Sequence, residues 1–232
     1  MKSNFWEDKD EIFLFHGSKG GITGKISPYN SRLNCDFGQG FYMGTDIMQT
    51  KSLVAKQDVN YKPFLYAYKI LISEIPKERI LVLKDMDWLY AVLACRNSDE
   101  TKKYNDLPIA KKWRECLKEY DVIVGAIADD SIVEAMKSFA ENSLTDQGLE
   151  ACLRKLNLGI QFVFRTEFAC SKIVEEPIFK RELVKKEKVD AETYYSNMKY
   201  KARNVVKEYK KEYKGVGKTL SDIIEEQKQI GE

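Results

Sequence analysis

Apolar positions fall into short clusters separated by charged or glycine-bearing stretches. Residues 12–15 form a compact apolar run that ends among Gly17, Gly20, Gly21 and Gly24, which predicts a buried strand opening onto a loop, with His16 at its end. Residues 64–72 alternate aromatic and branched side chains on one face and predict a second strand, followed by a shorter one at 80–83. From Asp46 to about Lys56 the pattern turns helical, with Asp46 as N-cap because its carboxylate can accept from the free first-turn amides, and with Tyr42 just ahead. Residues 88–95 read as a buried helix and 97–105 as a polar surface loop. The β-branched run at 120–127 ends at Asp129, Asp130 and Ser131, and Ser131 with Glu134 makes a capping-box pattern that starts the next helix. Leu149, Cys152 and Leu156 are helically spaced within 145–156, and 160–168 returns to strand. Short strands among helices, without a regular βαβ repeat, predict a mixed α+β fold.

After Pro177 the pattern changes. Residues 180–218 hold thirteen Lys or Arg against six Asp or Glu, with Tyr194, Tyr195, Tyr200, Tyr209 and Tyr213 interleaved, so residues 179–232 read as a basic helical appendage to a domain spanning 1–178. Leu220, Ile223 and Ile224 stripe a last helix near 219–229. Such a tail suits a solvated helix face, phosphate contact with base stacking, or a docked partner protein.

Composition narrows the class. With 44% apolar and 32% charged residues the chain is globular rather than disordered or fibrous, and a net charge of +2 excludes a global basic field. Five cysteines at positions 35, 95, 116, 152 and 170 include no CxxC pair, which argues against a disulfide framework or a zinc site and for reduced thiols in the cytoplasm. No basic start followed by an apolar run occurs, and no stretch approaches a membrane span, so the expected location is cytoplasmic.

Two motifs carry the chemistry. The only histidine sits in Phe15-His16-Gly17-Ser18, and Asp36-Phe37-Gly38-Gln39-Gly40-Phe41-Tyr42 follows about twenty residues later. These resemble the first two elements of the His-Tyr-Glu signature of ADP-ribosyltransferases of the diphtheria-toxin and poly(ADP-ribose) polymerase type. With Thr45-Asp46 and Gln49, Tyr120 to Gly125, Ala128 to Asp130, and Gln161 to Phe164, the chain is similar over residues 12–175 to a largely uncharacterised bacterial family of that clan, whose members often stand beside small antitoxin genes.

The resemblance implies a split β-sandwich of two small mixed sheets with an NAD cleft between them. It further implies an intracellular, toxin-like mono-ADP-ribosyltransferase that uses NAD as co-substrate without a metal, acts on a protein or nucleic-acid acceptor, and is met by an antitoxin. His16, Tyr42 and Gln161 would be catalytic. His16, Gly17, Ser18, Arg32, Phe37, Gly38, Phe41 and Tyr42 would hold the dinucleotide. Gly17 can offer backbone hydrogen bonds to a carboxamide, Tyr42 can stack on a pyridinium ring, and His16 can bond a ribose hydroxyl. Arg32 is either a pyrophosphate clamp or a solvated loop residue. Asp129 and Asp130 read as helix N-caps. Where the signature has its Glu, this chain has Gln161, and the nearby carboxylate, Glu167, would lie about 20 Å away along one strand. Two other readings stay open: an NAD- or ADP-ribose-binding pseudoenzyme, and a nucleic-acid-interacting protein acting through its tail.

Overall fold

The first apolar run extends further than its hydrophobic residues do. In a computed structural model, which describes residues 5–55, 62–96, 105, 107–128, 130–156 and 159–230, strand β1 spans Ile12–Ser18. His16 therefore lies within a strand rather than at its end. The chain continues through β2 (Phe41–Gly44), α1 (Ile47–Ala55), β3 (Phe64–Ile70), β4 (Ile80–Val82) and α2 (Asp85–Cys95). Next come α3 (Pro108–Lys118), β5 (Val122–Ala126), α4 (Asp130–Ala140), α5 (Asp146–Leu156) and β6 (Ile160–Phe164). The short α6 (Glu167–Cys170), β7 (Phe179–Glu182), α7 (Lys185–Glu212) and α8 (Leu220–Ile230) complete it.

The mixed α+β class holds, but the expected pair of sheets is one. The described strands form a single seven-stranded sheet in the order β4-β5-β6-β2-β1-β3-β7. It is nearly divided: β1 pairs with β3 along its whole length, yet meets β2 at the single pair Phe15–Gly44. Both faces are covered. In β5 and β6, Val122, Val124, Phe162 and Phe164 join the core on one side while Ile123 and Val163 join the core on the other, as the two-residue period of a doubly buried strand requires.

Tyr42 lies in β2 ahead of α1, and Asp46 caps that helix as its sequence position predicts, Oδ1 accepting from Gln49 N at 2.9 Å. Other expectations change. β6 stops at Phe164, because Thr166 turns the chain by capping α6. Asp130 opens α4, one residue before the expected Ser131; Asp129 and most of the 97–105 loop lie outside the described residues.

The segment after 178 is no separate appendage. β7 pairs with β3, and α7 packs against α1, α4 and α5. Ala202, Val205 and Val206 of α7, with Leu220 and Ile223 of α8, belong to the same buried cluster as Trp88, Phe139 and Leu149. At the start of α7, Glu187 accepts from Lys51 of α1 at 2.7 Å and from Arg181 of β7. Among the described residues no helix is long and apolar enough to cross a membrane, and the five cysteines are unpaired.

Candidate functional site

Beyond the Phe15–Gly44 pair, the edge of β1 that faces β2 has no strand partner, and a side chain takes the place of the missing ladder. His16 Nδ1 lies 2.7 Å from the Tyr42 carbonyl oxygen. A carbonyl only accepts, so Nδ1 carries the proton. The imidazole stacks on Phe41 with ring centroids 4.3 Å apart. Burial pushes the His16 pKa down to about 4, against the opposing pull of the Tyr42 carbonyl. At neutral pH the ring is uncharged, and Nε2 is left as an acceptor.

Two cavities meet at His16, Gly17 and Tyr42. The smaller, about 100 Å³, lies in the split of the sheet and is walled by Phe15, Gly44, Thr50, Ile127 and Gln161. The larger is a groove of about 560 Å³ bordered by Ser18, Arg32, Phe41 and the loop carrying Lys25 and Ser27. That loop is fastened down: Ile22 N donates to the Tyr66 hydroxyl at 2.8 Å, and Gly40 N donates to Ser31 Oγ at 2.9 Å.

Tyr42 is locked at its tip. Its hydroxyl donates to the Gly38 carbonyl at 2.6 Å and accepts from Phe37 N at 3.0 Å. Burial, reinforced by the Asp36 charge, holds the phenol well above its ordinary pKa, so it stays protonated. The ring is thereby fixed as a wall between the two cavities.

Gln161 is buried at the floor of the smaller cavity. Its Nε2 donates to Asp36 Oδ2 at 2.8 Å and to the Ala126 carbonyl at 3.1 Å. Both amide hydrogens are used, so Oε1, an acceptor, is the atom left for a ligand. Asp36 is the hub: Oδ1 accepts from Arg96 Nε and Nη2 at 2.9 and 2.7 Å, and Oδ2 also accepts from Ala128 N at 3.0 Å. Arg96 reaches on to the Ala128 carbonyl. Neither residue is marked as part of the site by the sequence: Asp36 only heads the second motif, and Arg96 lies sixty residues away with no local pattern around it.

His16, Gly17, Ser18, Arg32, Phe41, Tyr42 and Gln161 thus line these two adjoining cavities. Phe37 and Gly38 do not. Phe37 is fully buried against Gly125, where a methyl group would come within 2.8 Å of its ring, and Gly38 faces a different cavity on the far side of Tyr42. Glu167 is on another element from Gln161, exposed, accepting from Ser27 Oγ at 2.6 Å and ion-paired with Lys25 at 3.8 Å on the outer rim of the groove. Other motif residues serve the framework. Buried Gln49 accepts from Gly159 N at 3.0 Å, and Asp121 accepts from Arg79 at 2.9 Å and from Thr166 Oγ1 at 2.8 Å. Among the described residues no cluster of three metal-ligating side chains is present.

A family model described as a protein of unknown function (DUF3990) matches residues 12–174. The match takes in His16, Tyr42, Asp36 and Gln161 and ends before β7 and α7. No curated protein and no solved structure matches the chain.

Proposed function

The chain belongs to the DUF3990 family, whose description assigns no activity, and from that premise we propose that the split between β1 and β2 holds the nicotinamide end of NAD and that the protein transfers ADP-ribose to a macromolecular acceptor. The observation that carries this reading is the convergence of His16, Gly17, Tyr42 and Gln161 on one small cavity that opens into a larger groove rimmed by Arg32. In the split-sandwich arrangement that the resemblance implies, the division of the sheet at Phe15–Gly44 is the cleft.

Each residue then has a role. Tyr42 presents a fixed aromatic face to the pyridinium ring, an attraction of about 0.5–2 kcal/mol. Gly17 offers its backbone to the carboxamide without a side chain in the way. Neutral His16 accepts a ribose hydroxyl at Nε2, Gln161 accepts another at Oε1, and Arg32 meets the pyrophosphate. The C–N bond between ribose and nicotinamide breaks, nicotinamide leaves with the electron pair, and an acceptor atom bonds the anomeric carbon and gives up its proton. The toxin role rests on the resemblance alone.

A second reading, an NAD- or ADP-ribose-binding protein without turnover, is favoured by one specific observation. Among the described residues none that lines the two cavities is an Asp or a Glu, and the Asp36 charge behind Gln161 is matched by Arg96. A carboxylate about 4 Å from an oxocarbenium ion would supply roughly 4 kcal/mol at an effective dielectric near 20, and a neutral amide does not.

The experiment uses NAD labelled on the adenylate phosphate, mixed with the protein and a cell lysate that is then split into protein and nucleic-acid fractions. Label entering one fraction and lost with His16→Ala supports transfer and names the acceptor class. Binding by calorimetry without nicotinamide release selects the second reading. Transfer that persists in both His16→Ala and Gln161→Ala proteins sinks the site assignment.

A further inference from the structure

On the far side of the Phe37–Gly38 strap from His16 lies a third cavity, of about 700 Å³. Its lining contains Arg114, Arg165 and Lys118 and, among the described residues, no Asp or Glu. Lys118 is neutralised by Glu115 at 2.5 Å. The two guanidinium groups are not neutralised: Arg114 donates only to the Ala94 and Asn105 carbonyls, at 3.1 and 2.6 Å, and Arg165 only to the Leu117 carbonyl. Among the described residues neither has a carboxylate within ion-pair distance. Carbonyls satisfy N–H groups but leave a net charge in place, and holding two such charges beside one partly enclosed space is costly unless an anion joins them.

The buried polar atoms without partners lie at the same place. Among the described residues the buried side-chain nitrogens and oxygens without a partner are Arg165 Nε and Asn105 Oδ1, and both belong to residues that line this cavity. Desolvation already weakens the hold of Arg165 on its proton, so the protein itself supplies little compensation there. A guanidinium is a planar fork shaped for two oxygens of one phosphate, and two forks of this kind suit a phosphate ester or diphosphate better than a single small halide. The volume is that of a site for a small organic molecule.

We infer that this cavity is a second ligand site, separate from the His16 groove, which binds a small phosphate-bearing molecule through Arg114 and Arg165. The occupant would share a wall with the first site, because the Gly38 carbonyl that holds the Tyr42 hydroxyl lies on the strap between them.

Pyrophosphate is the probe, titrated into 15N-labelled full-length protein while the arginine Nε–Hε resonances are followed, with assignments from Arg114→Lys and Arg165→Lys. Saturable shifts of the Arg114 and Arg165 signals are expected, with binding weakened about tenfold or more in Arg114→Gln, which is a change of about 1.4 kcal/mol, and retained in Arg32→Gln. Arg114 sits on the partly exposed face of α3, so its variant decides the matter even where Arg165→Gln fails to fold. Absence of saturable binding, binding that survives Arg114→Gln, or binding lost with Arg32→Gln instead overturns the assignment.

Discussion

His16 Nδ1 lies 2.7 Å from the Tyr42 carbonyl, one residue past the point where β1 and β2 cease to pair, so an imidazole completes what the strand ladder leaves undone. The bond fixes the tautomer, and burial fixes the charge, because the same surroundings that hold the ring bring its pKa down from 6.5 to about 4.

That shift makes stability depend on pH in a definite direction. The unfolded chain takes up a proton near pH 6.5 and the folded one only near pH 4, so between these values the unfolded state holds more protons and stability falls as pH falls. The loss attributable to His16 is about 2 kcal/mol by about pH 5 and roughly 3 kcal/mol in full. Urea midpoints at neutral and mildly acid pH, compared between wild type and His16→Asn, measure it. A variant that loses as much stability on acidification as wild type contradicts the buried neutral ring.

Gly17 sits where α1 crosses β1. A methyl group there would come within 2.8 Å of Val54 Cγ1 and 3.1 Å of the Thr50 carbonyl. Gly17→Ala is therefore expected to cost about 1–3 kcal/mol. Because the tighter contact is with a side chain and the other with backbone, adding Val54→Ala relieves part of the strain. In a thermal or chemical denaturation cycle the double variant should lose less than the sum of the two single losses, by about 1 kcal/mol. Simple additivity would mean that the helix backbone, rather than Val54, sets the limit.

What the sequence made legible was local. The alternation at 64–70 and the β-branched run at 122–126 describe strands whose neighbours in sequence already reveal the burial, and Asp46 marks its helix by a short-range capping bond. The site residues His16, Tyr42 and Gln161 were found through motifs. The Asp36–Arg96–Ala128–Gln161 network was not, since it joins four segments that only the sheet order brings together. Phe37 misled for the opposite reason: an aromatic beside a glycine suits ligand stacking and core packing equally well, and Gly125 leaves room that draws the ring inward. The tail misled through its charge. Its lysines face solvent, while Ala202, Val205 and Val206, spaced for one buried stripe, decide where it packs.

The role of that tail is testable by deletion. A chain ending at 178 loses β7, α7 and α8, and with them part of the main buried cluster and the third neighbour of the β1–β3 pair. It is expected to lack a cooperative unfolding transition, and a truncated protein that unfolds as sharply as the full chain would restore the picture of a separable appendage. Within the full chain Glu187, held down to about 2 by Arg181 and then Lys51, contributes stability that is present above pH 4.5 and lost as pH falls toward 2. With Arg181 partly in solvent, Glu187→Gln should cost about 1–2 kcal/mol at neutral pH and nothing once the carboxyl is protonated.

Replacing Gln161 with the glutamate of the His-Tyr-Glu signature is the obvious attempt to raise transfer, and the geometry argues that it fails alone. The atom replacing Nε2 would become an acceptor facing Asp36 Oδ2 at about 2.8 Å and the Ala126 carbonyl at about 3.1 Å. Two carboxylates at that distance do not both ionise, so the new group would take up a proton and carry no charge to stabilise an oxocarbenium ion. Gln161→Glu should therefore lower stability by about 2–4 kcal/mol at neutral pH, less at acid pH, and leave nicotinamide release no faster. Adding Asp36→Asn supplies an amide that can donate to the new carboxylate, so that one negative charge remains in the network that Arg96 joins, although Ala128 N then loses the Oδ2 acceptor it has in the wild type. The double variant should be the more stable of the two at neutral pH, and under the transferase reading it should release nicotinamide faster than either single variant. If Gln161→Glu by itself folds as stably as wild type and accelerates NAD cleavage, then Asp36 does not command the position of residue 161, and the network behind the site is only scaffolding.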